Sequence, residues 1–356
     1  MPSKLNELFD LTNVDSVILR TDGERIDPNF YYSTQISKAS QLSSFLVLRK
    51  NKKPIVITNM LEYGAIKNNK NISVLCFTSK KEISDIFRKN LAGRKIGINF
   101  SFSTLKELNM LKKLVPKKKF VDVSGAFSKL REVKTKEEIK KFSTACKIAE
   151  ETLEKVGHIA KIGMSEKSLA DQLEYMAKKS GAEDVSFPTI VATGKNASVP
   201  HHITDKTRIS DGFLLVDFGV VFEGYCSDLT RTFFVGYADE KSKYVYSVVY
   251  RAQRQVIKNI QSGARSDELF RTANNIIEKE LGQKLIHSVG HGLGIDVHDF
   301  PLHMGEKSKF ILKENMCLTV EPGYYKNIGI RIEDDVIVKK NGCKLLSNAP
   351  KELVEI

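Results

Sequence analysis

Apolar residues recur along this chain in two rhythms. Over residues 1–127, short β-rich runs alternate with helical spacings. Val14 to Leu19, Phe45 to Leu48, Ile55 to Thr58, Ile72 to Phe77, Lys95 to Ile98 and Phe120 to Val123 read as strands. Leu61 to Lys67, Lys81 to Leu91 and Thr104 to Leu114 read as helices, with Ala92-Gly93 as the C-cap of the second. This alternation predicts an α/β layer. From Leu130 onward the rhythm changes. Thr135 and Glu138 form a capping-box pattern ahead of one apolar stripe, Ile139, Phe142, Ala145, Ile148, Ala149, Leu153 and Val156. Ser165 then caps a second helix that ends at Gly181, Ser186 to Ala192 reads as a strand, and a hairpin follows. The order repeats with helices at about Asp239 to Gln261 and Ser266 to Leu281, a loop-and-strand segment and a second hairpin. V-D-F-G in the first half is echoed by V-E-P-G in the second, a weak internal duplication. Two domains are expected, 1–127 and 132–356.

Both hairpins carry acids where buried strands should stay apolar. Phe213 to Val216 ends on Asp217, and Asp228 lies on the return. A turn centred between Phe222 and Glu223 sets these two opposite each other, with Cβ atoms about 4.5–5.5 Å apart. Met316 to Val320 ends on Glu321, and a turn around Asn327 brings Glu333 opposite it. His291, in G-H-G-L-G, lies between the pairs. Like charges that close are unfavourable without a cation. The set of Asp217, Asp228, His291, Glu321 and Glu333 therefore suits two divalent metals, with Mn²⁺, Co²⁺, Fe²⁺ and Zn²⁺ all compatible with these ligands. On chemistry alone a phosphoesterase is the runner-up, but no Arg or Lys cluster adjoins the set. His298 and His201 could donate to a developing oxyanion or hold a substrate carboxylate; His202 and His303 stay unassigned.

Composition narrows the rest. At 356 residues the chain suits two domains of about 150 residues each. No run of about 18 apolar residues predicts a membrane span, and the N-terminus lacks a signal core. Five scattered cysteines fit a reduced cytoplasm. Residues 1–131 hold 24 Lys and Arg against 11 Asp and Glu, so they carry the whole +13 net charge. Without interleaved aromatics, that excess reads as a solvated surface in preference to a nucleic-acid site. All seven histidines lie between His158 and His303, so the chemistry belongs to the second domain.

Taken together, V-D-F-G, C-S-D-L-T-R-T, G-H-G-L-G-I-D-V-H-D, T-V-E-P-G and I-R-I-E-D-D-V resemble the motifs of the pita-bread metallopeptidases, the group of methionine aminopeptidase, prolidase and aminopeptidase P. L-R-E-V-K-T-K-E-E-I resembles the linker helix of its creatinase and proline-peptidase branch. The resemblance implies a creatinase-like α/β N-terminal domain and an α+β pita-bread domain of two pseudo-symmetric halves around a curved antiparallel sheet. It implies that Asp217 chelates one metal, that His291 and Glu321 hold the other, and that Asp228 and Glu333 bridge both. Glu321 would also shuttle the proton, His298 and His201 would contact substrate, and Arg331 and Tyr325 would line the pocket behind them, Arg331 also touching substrate. The histidine pair at 201 and 202 leaves open which one is the family's residue. Layout is most similar to prolidases, which cleave dipeptides ending in proline. Aminopeptidase P activity on longer peptides, or a non-catalytic binding relative, are the alternatives. Homodimerisation is a further implication of the resemblance.

Overall fold

The computed structural model describes residues 4–23, 25–36 and 43–356. It divides into two compact units, Met1–Leu130 and Arg131–Ile356.

The first unit is built on one six-stranded sheet. Its strands are β1 (Ser16–Asp22), β2 (Ser43–Leu48), β3 (Ile55–Asn59), β4 (Ser73–Phe77), β5 (Lys95–Ile98) and β6 (Lys119–Asp122), in the order β4-β3-β2-β1-β5-β6. The β1–β2 and β2–β3 pairs are antiparallel and the others parallel. Among the described residues six α-helices accompany it: α1 (Glu7–Thr12), α2 (Pro28–Thr34), α3 (Met60–Ile66), α4 (Lys80–Asn90), α5 (Leu105–Leu114) and α6 (Ser124–Glu132). The alternating pattern does not signal α1, α2 and α6. Gly93 does not cap α4, which ends at Asn90 with Leu91 already extended. Gly93 instead takes φ +53° in the turn into β5. Ile18, Val47, Ile57, Phe87, Ile96 and Leu111 form the core between sheet and helices.

The second unit opens with α7 (Lys136–Leu153), whose capping box of Thr135 and Glu138 is present on both sides. A short α8 (Val156–Ile159) and then α9 (Glu166–Lys179), N-capped by Ser165, follow. Next come β7 (Asp184–Val185), β8 (Ile190–Thr193), β9 (Gly212–Phe218), β10 (Val220–Phe222), β11 (Tyr225–Cys226) and β12 (Leu229–Val235). The segment Ser186–Thr189 interrupts the strand expected over Ser186 to Ala192. After α10 (Glu240–Asn259) and α11 (Ser266–Leu281) come β13 (Cys317–Val320), β14 (Gly323–Tyr325), β15 (Gly329–Arg331), β16 (Asp334–Lys339) and β17 (Gly342–Leu345).

Each helix pair covers one half of this β-structure. Ala145 of α7 and Leu173 of α9 pack with Leu214, Val216 and Phe218 of β9. Val248 of α10 and Ala273 of α11 pack with Leu318, Val320 and Val336. A third cluster, including Phe213, Phe234, Tyr246, Ile330 and Ile332, joins the halves. The histidine-bearing segment forms no strand of its own, only isolated bridges from Gly292. It still lies antiparallel to β13, with Leu293 N–H donating to Cys317 O, Thr319 N–H to His291 O, and Glu321 N–H to Val289 O. This parallels the pairing of β8 with β9, which places Ile190 beside Asp217.

Candidate metal centre

The two hairpins deliver their acids through different registers. In the second, Val320 pairs with Asp334 and Gly323 with Arg331 in one continuous register, which sets Glu321 opposite Glu333. In the first, Phe222 pairs with Tyr225, and Asp217 lies opposite Thr230, not Asp228. The turn is the two-residue Glu223-Gly224, both at positive φ (42° and 73°). That left-handed pair matches the twist of a tight hairpin. Moving the turn centre by one residue moves the register by two, so Asp228 keeps its face and becomes a diagonal neighbour of Asp217.

Ligand atoms of Asp228, His291 and Glu333 all lie within 4.8 Å of one another. His291 Nε2 is 3.4 Å from Asp228 Oδ2 and 3.7 Å from Glu321 Oε1. The other ring nitrogen, Nδ1, is 3.1 Å from Gly292 O. A carbonyl can only accept, so Nδ1 carries the proton and the Nε2 lone pair faces the carboxylates. Asp217 accepts from Arg331 Nη2 at 2.6 Å, while its Oδ1 is buried with no hydrogen-bond partner.

Burial drives the acids toward the neutral form. It pushes Asp228 and Glu333 well above the usual carboxylate range. Asp217 and Asp335 add repulsion at Asp228; Asp228 and Glu321 add it at Glu333. Asp217 is raised too, by burial opposed by Arg331. Asp335, behind Asp228, is pushed up to about 7 by burial, although Cys146 Sγ and Asp228 N–H both donate to its Oδ2 at 3.1 Å. A cation among these groups would relieve the repulsion. The orphaned Asp217 oxygen, the oriented imidazole lone pair and the clustered carboxylates fit divalent metal ions.

Several supporting groups do not stand out in the sequence. Thr230 Oγ1 donates to Glu333 Oε2 at 2.6 Å and accepts from Arg331 Nε at 3.0 Å. Arg331 Nη1 donates to Tyr325 OH at 2.8 Å and to Pro200 O at 3.3 Å. With a further bond from Nη2 to Asp217, four of its five N–H groups are engaged by protein groups and orient Asp217 and Tyr325, and Arg331 also lines the cavity beside the centre. His287 Nδ1 donates to Ser288 O at 2.7 Å, so its Nε2 accepts from Tyr325 OH at 3.1 Å. Thr230 lies within the C-S-D-L-T-R-T string, and His287 precedes His291 by one helical spacing, but nothing local signals either partnership.

The centre opens into a cavity of about 900 Å³. Phe187, Pro188, Ile190, Ile203 and Leu302 supply apolar wall, and His201 and His298 reach it as well. The His298 ring centroid is 4.3 Å from that of His291. Of the 201–202 pair, His202 Nε2 is held at 2.8 Å by the fully buried Glu166, whereas His201 is exposed at the wall. His303 also lines the cavity.

A metallopeptidase is the class that such a centre, on such a fold, defines. The chain belongs to metallopeptidase family M24, whose model matches residues 140–340, and a creatinase/prolidase N-terminal domain matches residues 3–133. It is 35% identical to the Xaa-Pro dipeptidase of Pyrococcus horikoshii over 99% of this chain and 97% of that one. Among solved structures, the X-Pro aminopeptidase of Thermotoga maritima superposes with a TM-score of 0.91 at 27% identity, covering 98% of this chain and 100% of that one. The Xaa-Pro dipeptidase of Bacillus anthracis gives 0.90 at 30% identity, covering 99% and 98%. The architecture is thus an α/β N-terminal domain followed by an α+β pita-bread domain. Among the described residues no helix is long and apolar enough to cross a membrane.

Proposed function

We propose that this metallopeptidase hydrolyses the X-Pro bond of dipeptides, using two divalent cations held by Asp217, Asp228, His291, Glu321 and Glu333. The carrying observation is the convergence of these carboxylates and one oriented imidazole at the end of a peptide-sized cavity. Bound there, the cations would supply a nucleophilic water at neutral pH and polarise the scissile carbonyl.

The chain's own groups do the rest. Glu321 is the most open of the three acids in ion-pair contact at the centre, with 15% of its side chain exposed against 10% for Asp217 and 8% for Asp228. That opening suits Glu321 to take the proton from water and return it to the leaving proline nitrogen. His298 is held below the usual imidazole range by burial and by neighbouring His291. Burial thus favours the uncharged ring, which can still donate a hydrogen bond to the carbonyl oxygen. His201 contacts the same end of the substrate, and the apolar wall receives the proline ring. A tertiary X-Pro amide has no N–H, so recognition falls on shape and on the carbonyl. Two relatives named Xaa-Pro dipeptidase, 35% and 33% identical, support the dipeptide reading. The likeness to an X-Pro aminopeptidase keeps longer peptides as the second reading.

We further propose Mn²⁺ or Co²⁺ as the working metal, a homodimer, and cytoplasmic residence, the last supported by five free cysteines. Met-Pro and Ala-Pro-Ala, offered to chelated enzyme and to enzyme restored with either metal, test the substrate. Cleavage of Met-Pro alone is expected. Cleavage of the tripeptide moves the assignment to an aminopeptidase, and silence on both refutes X-Pro hydrolysis.

A further inference from the structure

Between His291 and Pro301 the chain folds back on itself. Asp299 N–H donates to Gly292 O at 2.9 Å, and Gly292 N–H donates to Pro301 O at 2.7 Å. Gly292 and Gly294 permit this closure: a Cβ on Gly292 would lie 2.7 Å from the Phe300 carbonyl carbon, and one on Gly294 would lie 2.2 Å from Asp299 Oδ2. The Asp299 carboxylate is the hub of the fold-back. Its Oδ2 accepts from Ile295 N–H at 3.2 Å and its Oδ1 from Phe300 N–H at 2.8 Å.

A single guanidinium holds this hub from behind. Arg131 Nη2 lies 2.6 Å from Asp296 Oδ2 and 3.0 Å from Asp299 Oδ2, and its Nε donates to Asp299 Oδ2 at 3.3 Å. Arg131 is 5% exposed and Asp299 1%. Burial opposes the charge on Arg131, but the two carboxylates outweigh it and hold the group firmly protonated. Lys134 adds a second donor, to Phe300 O at 3.4 Å. The two residues between the gripped acids, Val297 and His298, are the ones that reach the cavity.

We propose that Arg131 is a positioning residue: by gripping Asp296 and Asp299 at once, it fixes the short span that presents His298 to the substrate carbonyl. The proposal rests on the reading of His298 given above. It assigns a task to the junction segment, which contributes no group to the centre itself. A planar fork spanning two carboxylates is geometry that lysine cannot reproduce. A shift of His298 by about 1 Å would cost on the order of 100-fold in rate.

Arg131→Ala and Arg131→Lys, beside His298→Ala and wild type, test this with X-Pro turnover, Mn²⁺ titration and long-range proton–nitrogen NMR of the histidine rings. In Arg131→Ala, kcat should fall about 10–100-fold with KM and Mn²⁺ affinity little changed. Arg131→Lys should fall between it and wild type. Added methylguanidine should restore part of the lost rate in Arg131→Ala but none in His298→Ala. The His298 ring signals should shift and broaden in Arg131→Ala while those of His158 stay put. Unchanged kcat, or a loss that methylguanidine does not relieve and Mn²⁺ affinity shares, overturns the proposal. A wild type silent on X-Pro substrates refutes the functional reading alone; the His298 ring signals then decide the role of Arg131, and unchanged signals overturn it.

Discussion

Replacing Thr230 with valine removes one hydroxyl and leaves almost every other contact in place. Its Oγ1 links Arg331 Nε to Glu333 Oε2, at 3.0 and 2.6 Å, and the residue is fully buried. Valine has nearly the same shape, so no cavity opens. Each of the two groups left behind loses that bond, and because both line the cavity, water takes up part of it. Hydrogen bonds to charged groups contribute about 1.5–3 kcal/mol each. The summed ceiling is therefore about 3–6 kcal/mol, reduced by that hydration and by the better burial of a methyl group to about 1.5–3 kcal/mol. Glu333 also loses the partner that orients it, and such losses typically weaken metal affinity about 10–100-fold. Thr230→Ser keeps the hydroxyl and serves as the control. Urea unfolding and Mn²⁺ titration calorimetry read the two effects. Thr230→Val should unfold at a clearly lower midpoint and bind Mn²⁺ more weakly, with Thr230→Ser close to wild type. If Thr230→Val matched wild type in both, the coupling of Glu333 to Arg331 through this hydroxyl would be wrong.

Other perturbations separate roles that the geometry distinguishes. Glu321→Gln should cut X-Pro turnover by about 100- to 10,000-fold with an unchanged circular dichroism spectrum; a smaller loss would remove Glu321 from proton transfer. His202→Ala strips one of three partners from buried Glu166, which also accepts from Thr193 N–H at 2.8 Å and Asn196 Nδ2 at 3.0 Å, and should cost about 1.5–3 kcal/mol in unfolding. His201→Ala should leave unfolding alone and lower turnover; the reverse pattern would exchange the two assignments. Asp334 is lowered despite full burial, because Arg231 at 2.7 Å and Lys351 favour its charge. A depressed folded pKa stabilises above the unfolded value and is lost as pH falls, so Asp334→Asn should cost about 3–5 kcal/mol at pH 7. That deficit should shrink below about pH 4; a pH-independent deficit would assign the loss to packing.

The limits of reading the sequence show in the two hairpins. The second was legible because its turn is centred on a single residue, Asn327, at φ +67°, and one register runs through both strand pairs. The first was misplaced by one residue at the turn because Glu223 takes a positive φ, which non-glycine residues seldom do. The acids kept their face because the error moved the register by two. Apolar periodicity located the strands of the first unit and the helix pairs of the second. It did not locate α1 or α2, while α3, no longer than α2, was legible. Thr230, His287 and Arg131 were invisible for a different reason. Each matters through a partner far along the chain, as Arg131 does through Asp296 and Asp299, and no local spacing records such a meeting. Of the adjacent histidines, only folding decides which one Glu166 claims.

The central claim is that five side chains hold a two-metal centre that drives hydrolysis. Titrating Mn²⁺ into fully chelated protein, while following Met-Pro cleavage in the same samples, tests it most directly. The account predicts two equivalents bound per chain, with turnover absent before metal is added and complete once both are bound. Full turnover in the presence of chelator, or tight binding of two equivalents without any cleavage of an X-Pro bond, would contradict it.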